Sequence, residues 1–399
     1  MIAFIISLLL YVFSSGSEVI KSMTSHKEKS HPHYILNVDS LKIDAGDKTR
    51  KMDLYFRSLC TSAKFNGNVL IAENGKIIYA NSYGFANFKT RDSLSLQSTF
   101  QLASASKPIT ATAILMLKDR ALLQLDDPIS KYIENFPYEN VTIRMLLSHK
   151  SGLPNYMHFY ENIDQSKYLS NQDVIDYLLK YNPQMQNAPG KRFRYNNTNF
   201  AILSYLVGKI SGTSFERFVE DSIFEPLGMK NSYVFNFETD QAVQIPVRGY
   251  RYSHVEADFS YLDGVVGDKG IYSNVEDLFR FDQALYDEFL LKQESIEESI
   301  QFEGRDASNP YQNYGLGWRL TQLSTGKKIV FHTGQWNGFS SLILRVPEDR
   351  HTIIFLGNRK NNCFMNFYSI LAILDEDLAN QMMQLSIQQN SPDSSLVQP

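Results

Sequence analysis

The chain is poor in cysteine, with Cys60 and Cys363 as its two copies in 399 residues. Two are too few for a disulfide framework, and they read as a pair of buried thiols. An excess of positive charge is also missing. Lys and Arg number 39 against 43 Asp and Glu, for a net charge of -4. That balance gives no basic patch and argues against a nucleic-acid partner. No internal repeat is visible, which excludes a solenoid or propeller. No bias toward disorder appears either: 43% of residues are hydrophobic and 21% charged, ordinary values for a globular protein. Long apolar runs are absent apart from residues 2–13, IAFIISLLLYVF.

That run is short for a spanning helix, which needs about 20 residues. It suits the apolar region of a secretory signal, and Ser14, Ser15, Gly16 and Ser17 beyond it suit cleavage. No Lys or Arg precedes it, so the expectation is a signal peptide or a retained N-terminal anchor over 1–22. A polar linker over 23–46 follows, with His26, His31 and His33 read as solvated residues. A folded domain spans 47–385 and a polar tail 386–399. This organisation implies a secreted or periplasmic protein, with membrane association through the N-terminal segment.

Strand signals gather at the two ends of the domain. An amphipathic helix over 47–63 precedes two β-rich runs, 67–73 and 76–80, separated by Asn74-Gly75, the residue pair of a type I′ hairpin. The far end carries runs at 314–320, 328–332, 340–345 and 352–356 joined by short turns, then a helix over 365–383. Helical patterns fill the middle, at 105–119, 142–148, 171–179, 199–210 and 215–223. Ser273 to Glu276 reads as a capping box opening a helix to 289. The fold class is therefore α+β: one antiparallel sheet from both termini, flanked by helices, with a mostly helical inserted subdomain. A cleft between sheet and insertion is a natural ligand site.

Ser104-Ala105-Ser106-Lys107 places a hydroxyl and an amine one helical turn apart at a helix start. Serine needs a neighbouring base to become a nucleophile, and a desolvated lysine on the same helix face can serve. Spacing alone is weak, since Ser324 and Lys327 repeat it within a turn. Two later triplets add weight by their order and context. Tyr195-Asn196-Asn197 follows Ala188-Pro189-Gly190-Lys191 and opens a helix. His332-Thr333-Gly334 ends a strand before a turn containing Gln335-Trp336-Asn337-Gly338.

In this order the three motifs resemble those of the serine β-lactamase and penicillin-binding-protein superfamily. The likeness runs from about 48 to 385. It includes Val141 to His149 with Ser151-Gly152-Leu153-Pro154, Ile223 to Met229, and Gly267-Asp268-Lys269-Gly270-Ile271-Tyr272-Ser273. The Tyr-x-Asn form resembles the class C-like branch, which includes D-alanyl-D-alanine carboxypeptidases and esterase-like hydrolases. The resemblance implies a β-lactamase/transpeptidase-like fold and acyl transfer without metal or organic cofactor.

It also implies roles. Ser104 would attack a carbonyl carbon. Lys107 would take its proton or hold a neighbouring phenolate, and Tyr195 is the second candidate base. Asn197 would donate to a substrate carbonyl and accept from Lys107. His332, Thr333, Gly334 and Gln335 would line the substrate-binding strand, with the oxyanion hole at the backbone N–H groups of Ser104 and Gln335. Histidine at 332 departs from the family's lysine. Being mostly neutral at pH 7, it weakens a fixed charge for a substrate carboxylate. His149 reads as a structural helix-end residue, and Asp126-Asp127 as a turn before Pro128. The substrate class is an amide or ester: a D-amino-acid peptide, a β-lactam or a small ester. Two rival readings stand beside this one, a non-hydrolysing penicillin-binding sensor or scaffold and a promiscuous esterase with no cell-wall role.

Overall fold

In the computed structural model, Asn74 and Gly75 take φ values of 49° and 71°. They close a hairpin between β1 (Gly67–Glu73) and β2 (Lys76–Tyr83). Six more strands come from the far end of the chain: β3 (Gly304–Arg305), β4 (Asn313–Tyr314), β5 (Arg319–Gln322), β6 (Lys328–Trp336), β7 (Phe339–Val346) and β8 (His351–Gly357). They form one antiparallel sheet of eight strands in the order β2-β1-β8-β7-β6-β5-β4-β3. The two ends meet at the β1–β8 pairing, with Gly67 opposite Gly357 and Val69 opposite Phe355. The structure describes residues 33–62, 65–159, 161, 163–237, 247–251, 254–305, 313–360 and 367–390. The N-terminal apolar run and Cys363 lie outside them. Cys60 is a free thiol.

The α-helices of five or more residues are α1 (Asp47–Ser62), α2 (Lys107–Asp119), α3 (Ile143–Leu147), α4 (Asn171–Tyr181), α5 (Asn197–Ser211), α6 (Phe215–Val219), α7 (Val275–Ala284), α8 (Gln293–Ser299), α9 (Phe367–Leu374) and α10 (Glu376–Asn390) among the described residues. Successive strand residues point to opposite faces, and the central strands are apolar on both. Val69, Ile71, Ile353 and Phe355 pack with Met52 and Phe56 of α1 and Ile370 and Leu371 of α9. Leu70, Ala72, Ile354 and Leu356 pack into the core of the helical insertion, with Ile109 and Ile114 of α2 and Phe200 of α5. Both faces being covered explains why β8 is buried at every position. Among the described residues no helix is long and apolar enough to cross a membrane.

Several boundaries differ from the sequence reading for local reasons. Strand β6 runs past His332 to Trp336, because Asn337 (φ 43°) and Gly338 (φ 80°) alone supply the turn. The run at 314–320 divides into β4 and β5 around Gly317 (φ 83°), where an added Cβ would lie 2.4 Å from Ala111 Cβ. Ser273 ends a strand (Ile271–Ser273), so the cap of α7 is Asn274, which accepts from the Asp277 N–H at 2.8 Å. The last helix breaks at Asp375, whose carboxylate accepts from the Leu378 N–H at 3.0 Å. From Tyr34 onward, the segment read as a linker is bound to the body. The Tyr34 N–H donates to Pro226 at 2.7 Å and the Ile43 N–H to Ile77 at 2.9 Å. Val38 is buried there.

Candidate active site

Ser104 sits in a short 3₁₀ turn, Ala103–Ser106, that leads into α2. Its backbone is strained: Ala103 has φ 50°, a conformation that costs a non-glycine residue on the order of 1 kcal/mol or more. Neighbours on two sides hold the turn. The Leu102 N–H donates to Ile271 at 2.8 Å, and the Leu102 carbonyl accepts from Ser341 Oγ of β7 at 2.6 Å. Gly334 lets β6 press against it. A Cβ at 334 would lie 2.2 Å from the Leu102 oxygen and 2.8 Å from the Ser104 nitrogen.

Lys107 opens α2 and is fully buried. Its Nζ donates to Ser104 Oγ at 3.0 Å and to the Asp268 carbonyl at 2.8 Å. Thr110 Oγ1 donates to the Gly267 carbonyl at 2.8 Å, so α2 and the 267–268 segment are joined one turn apart. Nζ also lies 5.0 Å from the Tyr195 ring centroid. The Ser104–Lys107 pairing expected from spacing is therefore formed, with Tyr195 beside it.

The Tyr-x-Asn segment is positioned by its middle residue. Asn196 caps α5, accepting from the Thr198 N–H at 3.0 Å and donating to the Leu153 carbonyl at 2.6 Å. Its own N–H donates to His149 Nδ1 at 3.1 Å. Asn199 Nδ2 meets the same nitrogen at 3.1 Å. His149 thus ties the end of the α3 segment to the start of α5, and its ring lies 4.3 Å from that of Tyr195. Burial holds its pKa well below the ordinary value, with the charge of Lys107 adding to the effect. With Nδ1 accepting, the proton sits on Nε2, a buried atom without a hydrogen-bond partner among the described residues.

Two expected contacts are not formed. Asn197 Nδ2 donates to Met157 Sδ at 2.7 Å, while its buried Oδ1 has no partner among the described residues and does not accept from Lys107. His332 is fully buried and does not line the cleft. Nδ1 lies 2.8 Å from the Thr333 carbonyl, which can only accept, so Nδ1 carries the proton. Nε2 then accepts from Tyr314 OH at 3.0 Å. Burial, then Arg319 and Lys107, pushes the His332 pKa well below its usual value. His332 is thus a neutral residue held behind the strand by Tyr314 and the Thr333 carbonyl.

A cleft of ≈160 Å³ opens at Ser104, lined by Ser104, Met157, Asn197, Asp268, Lys269, Gln335 and Trp336. Gln335 lies there as expected. Thr333 and Gly334 belong to the strand edge beside it, and Gly334 faces the Ala103–Ser106 turn. Met157 and Lys269 were not singled out by sequence reasoning; a charged pair between two glycines, Gly267-Asp268-Lys269-Gly270, was the available signal. A larger cavity of ≈440 Å³, walled by Tyr168, Tyr205, Phe215 and Phe237, contains none of the motif residues. Asp349, His351 and Asp375 hold three metal-capable atoms within 4.8 Å of one another. There the Lys327 ammonium already takes both Asp349 oxygens, at 2.7 and 2.8 Å.

The profile of the Beta-lactamase family matches residues 61–375. This chain belongs to that family. It is 36% identical over 331 residues to penicillin-binding protein 4* of Bacillus subtilis, covering 79% of this chain and 73% of that one. Among solved structures, the penicillin-binding protein of Bacillus halodurans superposes with TM-score 0.68 at 26% identity, over 80% of this chain and 99% of that one. The octameric penicillin-binding protein homologue of Pyrococcus abyssi shares the fold at TM-score 0.69 and 24% identity, over 85% and 78% of the two chains. The family's members are acyl-transferring serine hydrolases, and the α+β architecture expected from the motifs is the one found.

Proposed function

We propose that this chain is a serine hydrolase of the class C-like, esterase- and carboxypeptidase-like kind, acting on an amide or ester through Ser104. The observation that carries the reading is the buried Lys107 amine 3.0 Å from Ser104 Oγ, at a cleft that Gln335 also lines. When the amine has lost a proton, the same contact runs in reverse and Lys107 accepts from the hydroxyl. Ser104 Oγ bonds to the carbonyl carbon as its proton passes to Lys107, with Tyr195 as the alternative base. The oxyanion is held by the backbone N–H groups of Ser104 and Gln335. Collapse expels the alcohol or amine, which leaves with that proton. Water then repeats the sequence, releasing the acid and restoring Ser104. The start of α2 beside the nucleophile adds a favourable dipole for the developing negative charge.

The names of the relatives favour a second reading, a penicillin-binding sensor that acylates and stalls. The apolar run at 2–13 supports export, so either activity would lie outside the cytoplasm. Labelling with a fluorescent penicillin and with a fluorophosphonate, on the wild-type protein and on Ser104→Ala, tests both readings. The hydrolase reading expects Ser104-dependent labelling and turnover of an ester or amide. Stable labelling without turnover supports the sensor, and labelling by neither reagent removes Ser104 as nucleophile.

A further inference from the structure

The cleft contains a second lysine that the acyl-transfer chemistry above does not use. Lys269 lies in the turn before Ile271–Ser273 and is 3% exposed. Among the described residues lining the cleft it is the one cation. Its ammonium donates to Tyr156 OH at 2.8 Å and to the Val265 carbonyl at 3.0 Å. Those bonds fix two of its three N–H groups. The rings of Tyr156 and Trp336 flank it, with centroids 5.4 and 5.2 Å from Nζ. Trp336 is itself fixed, donating from Nε1 to Asp263.

Lys269 forms a buried ion pair with Asp268, whose Oδ1 lies 3.6 Å away, while Asp268 Oδ2 accepts from Tyr156 OH at 2.8 Å. Burial pulls the Lys269 pKa down, and the neighbouring Lys107 adds to this, while Asp268 and Asp263 push it up. The β6 wall offers no comparable charge, since His332 is neutral with both ring nitrogens engaged. A cation held rigid in a low-dielectric cleft interacts with an anion more strongly than one in water.

We propose that Lys269 is the anion-recognition residue of this cleft, directing it to acyl donors or leaving groups that bear a carboxylate near the scissile bond. The role resembles that of a strand lysine but is supplied from the Gly267–Gly270 turn. It rests on the serine hydrolase reading of Ser104.

The test compares kcat/KM for two matched pairs of aryl esters. Phenyl acetate against 3-acetoxybenzoate places the carboxylate on the leaving group. 4-Nitrophenyl pentanoate against mono-4-nitrophenyl glutarate places it on the acyl group. Wild-type protein should prefer the anionic member of at least one pair. Lys269→Met should lower kcat/KM for that member 10- to 100-fold more than for its neutral partner, through KM. Removing one partner of a buried pair strains the fold, so Asp268→Asn/Lys269→Met is made alongside; it removes both charges and keeps the main-chain carbonyl that holds Lys107. The double variant should lose the same preference. Equal loss on both members of each pair, or an unchanged preference in both variants, overturns the role of Lys269. Failure of wild-type protein to turn over any of the four esters, with no Ser104-dependent fluorophosphonate labelling, overturns the hydrolase reading and this role with it. Turnover without preference for either anionic ester overturns the recognition role alone.

Discussion

Replacing Gly334 by alanine tests how the strand and the nucleophile turn fit together. A Cβ at 334 would sit 2.2 Å from the Leu102 oxygen, 2.5 Å from Ser341 Oγ and 2.8 Å from the Ser104 nitrogen. The serine hydroxyl can swing aside, but the other two atoms are backbone. Restoring ordinary van der Waals contact, at about 3.5 Å, moves β6 away from the turn by roughly 1 Å. Overpacking of this kind costs about 1–3 kcal/mol of stability. Misplacement of the reacting groups by about 1 Å can cost on the order of 10²-fold in rate. Gln335 is the next residue on β6, so the shift would also open the cleft between it and Ser104. The assays are urea unfolding and the second-order rate of fluorophosphonate labelling. Labelling should slow by roughly two orders of magnitude while the protein remains folded. Wild-type labelling with unchanged unfolding would mean that β6 does not press on the nucleophile turn.

Asn196→Ala removes the cap of α5 and the bond to Leu153, and should cost about 1–2 kcal/mol with labelling slowed at least about tenfold. Ser214→Ala, which removes the cap of α6 at Arg217, should cost a similar or smaller amount with labelling unchanged. If both variants slow labelling equally, the Asn196 effect is general destabilisation. Acid should weaken the fold through His149 and His332, whose pKa values burial depresses below the ordinary 6.5. The unfolded chain then binds protons that the folded chain does not, so stability is full above about pH 6.5 and falls below it. Each histidine contributes up to about 1.4 kcal/mol per pH unit to that fall. Urea midpoints from pH 7 to 5 should show it, with a shallower slope in His332→Gln; an unchanged slope would mean that His332 is not held neutral.

Much of this architecture was legible where the signal is local. Asn74-Gly75 announces its hairpin because only a residue pair tolerant of positive φ fits a type I′ turn. The alternating apolar runs at both ends mark one sheet, and the order of the three motifs marks the family. The less legible features depend on neighbours distant in the chain. The burial of His332 depends on Tyr314 and Arg319, on β4 and β5, and the Asn197 contact depends on Met157. Lys269 reads as an ordinary charged turn residue until Tyr156 and Trp336 close around it. The extension of β6 through Trp336 is not legible, because Gln335 and Trp336 sit next to the turn that Asn337-Gly338 make alone.

The central claim is that Ser104 is the acylated atom's owner and Lys107 its activator. Intact-mass and peptide mass spectrometry after brief exposure to an activated ester tests this most directly. The account predicts one acyl adduct on the Ser104 peptide, absent in Ser104→Ala and formed at least about 10²-fold more slowly in Lys107→Met. An adduct on another residue, or one undiminished in Ser104→Ala, would contradict it.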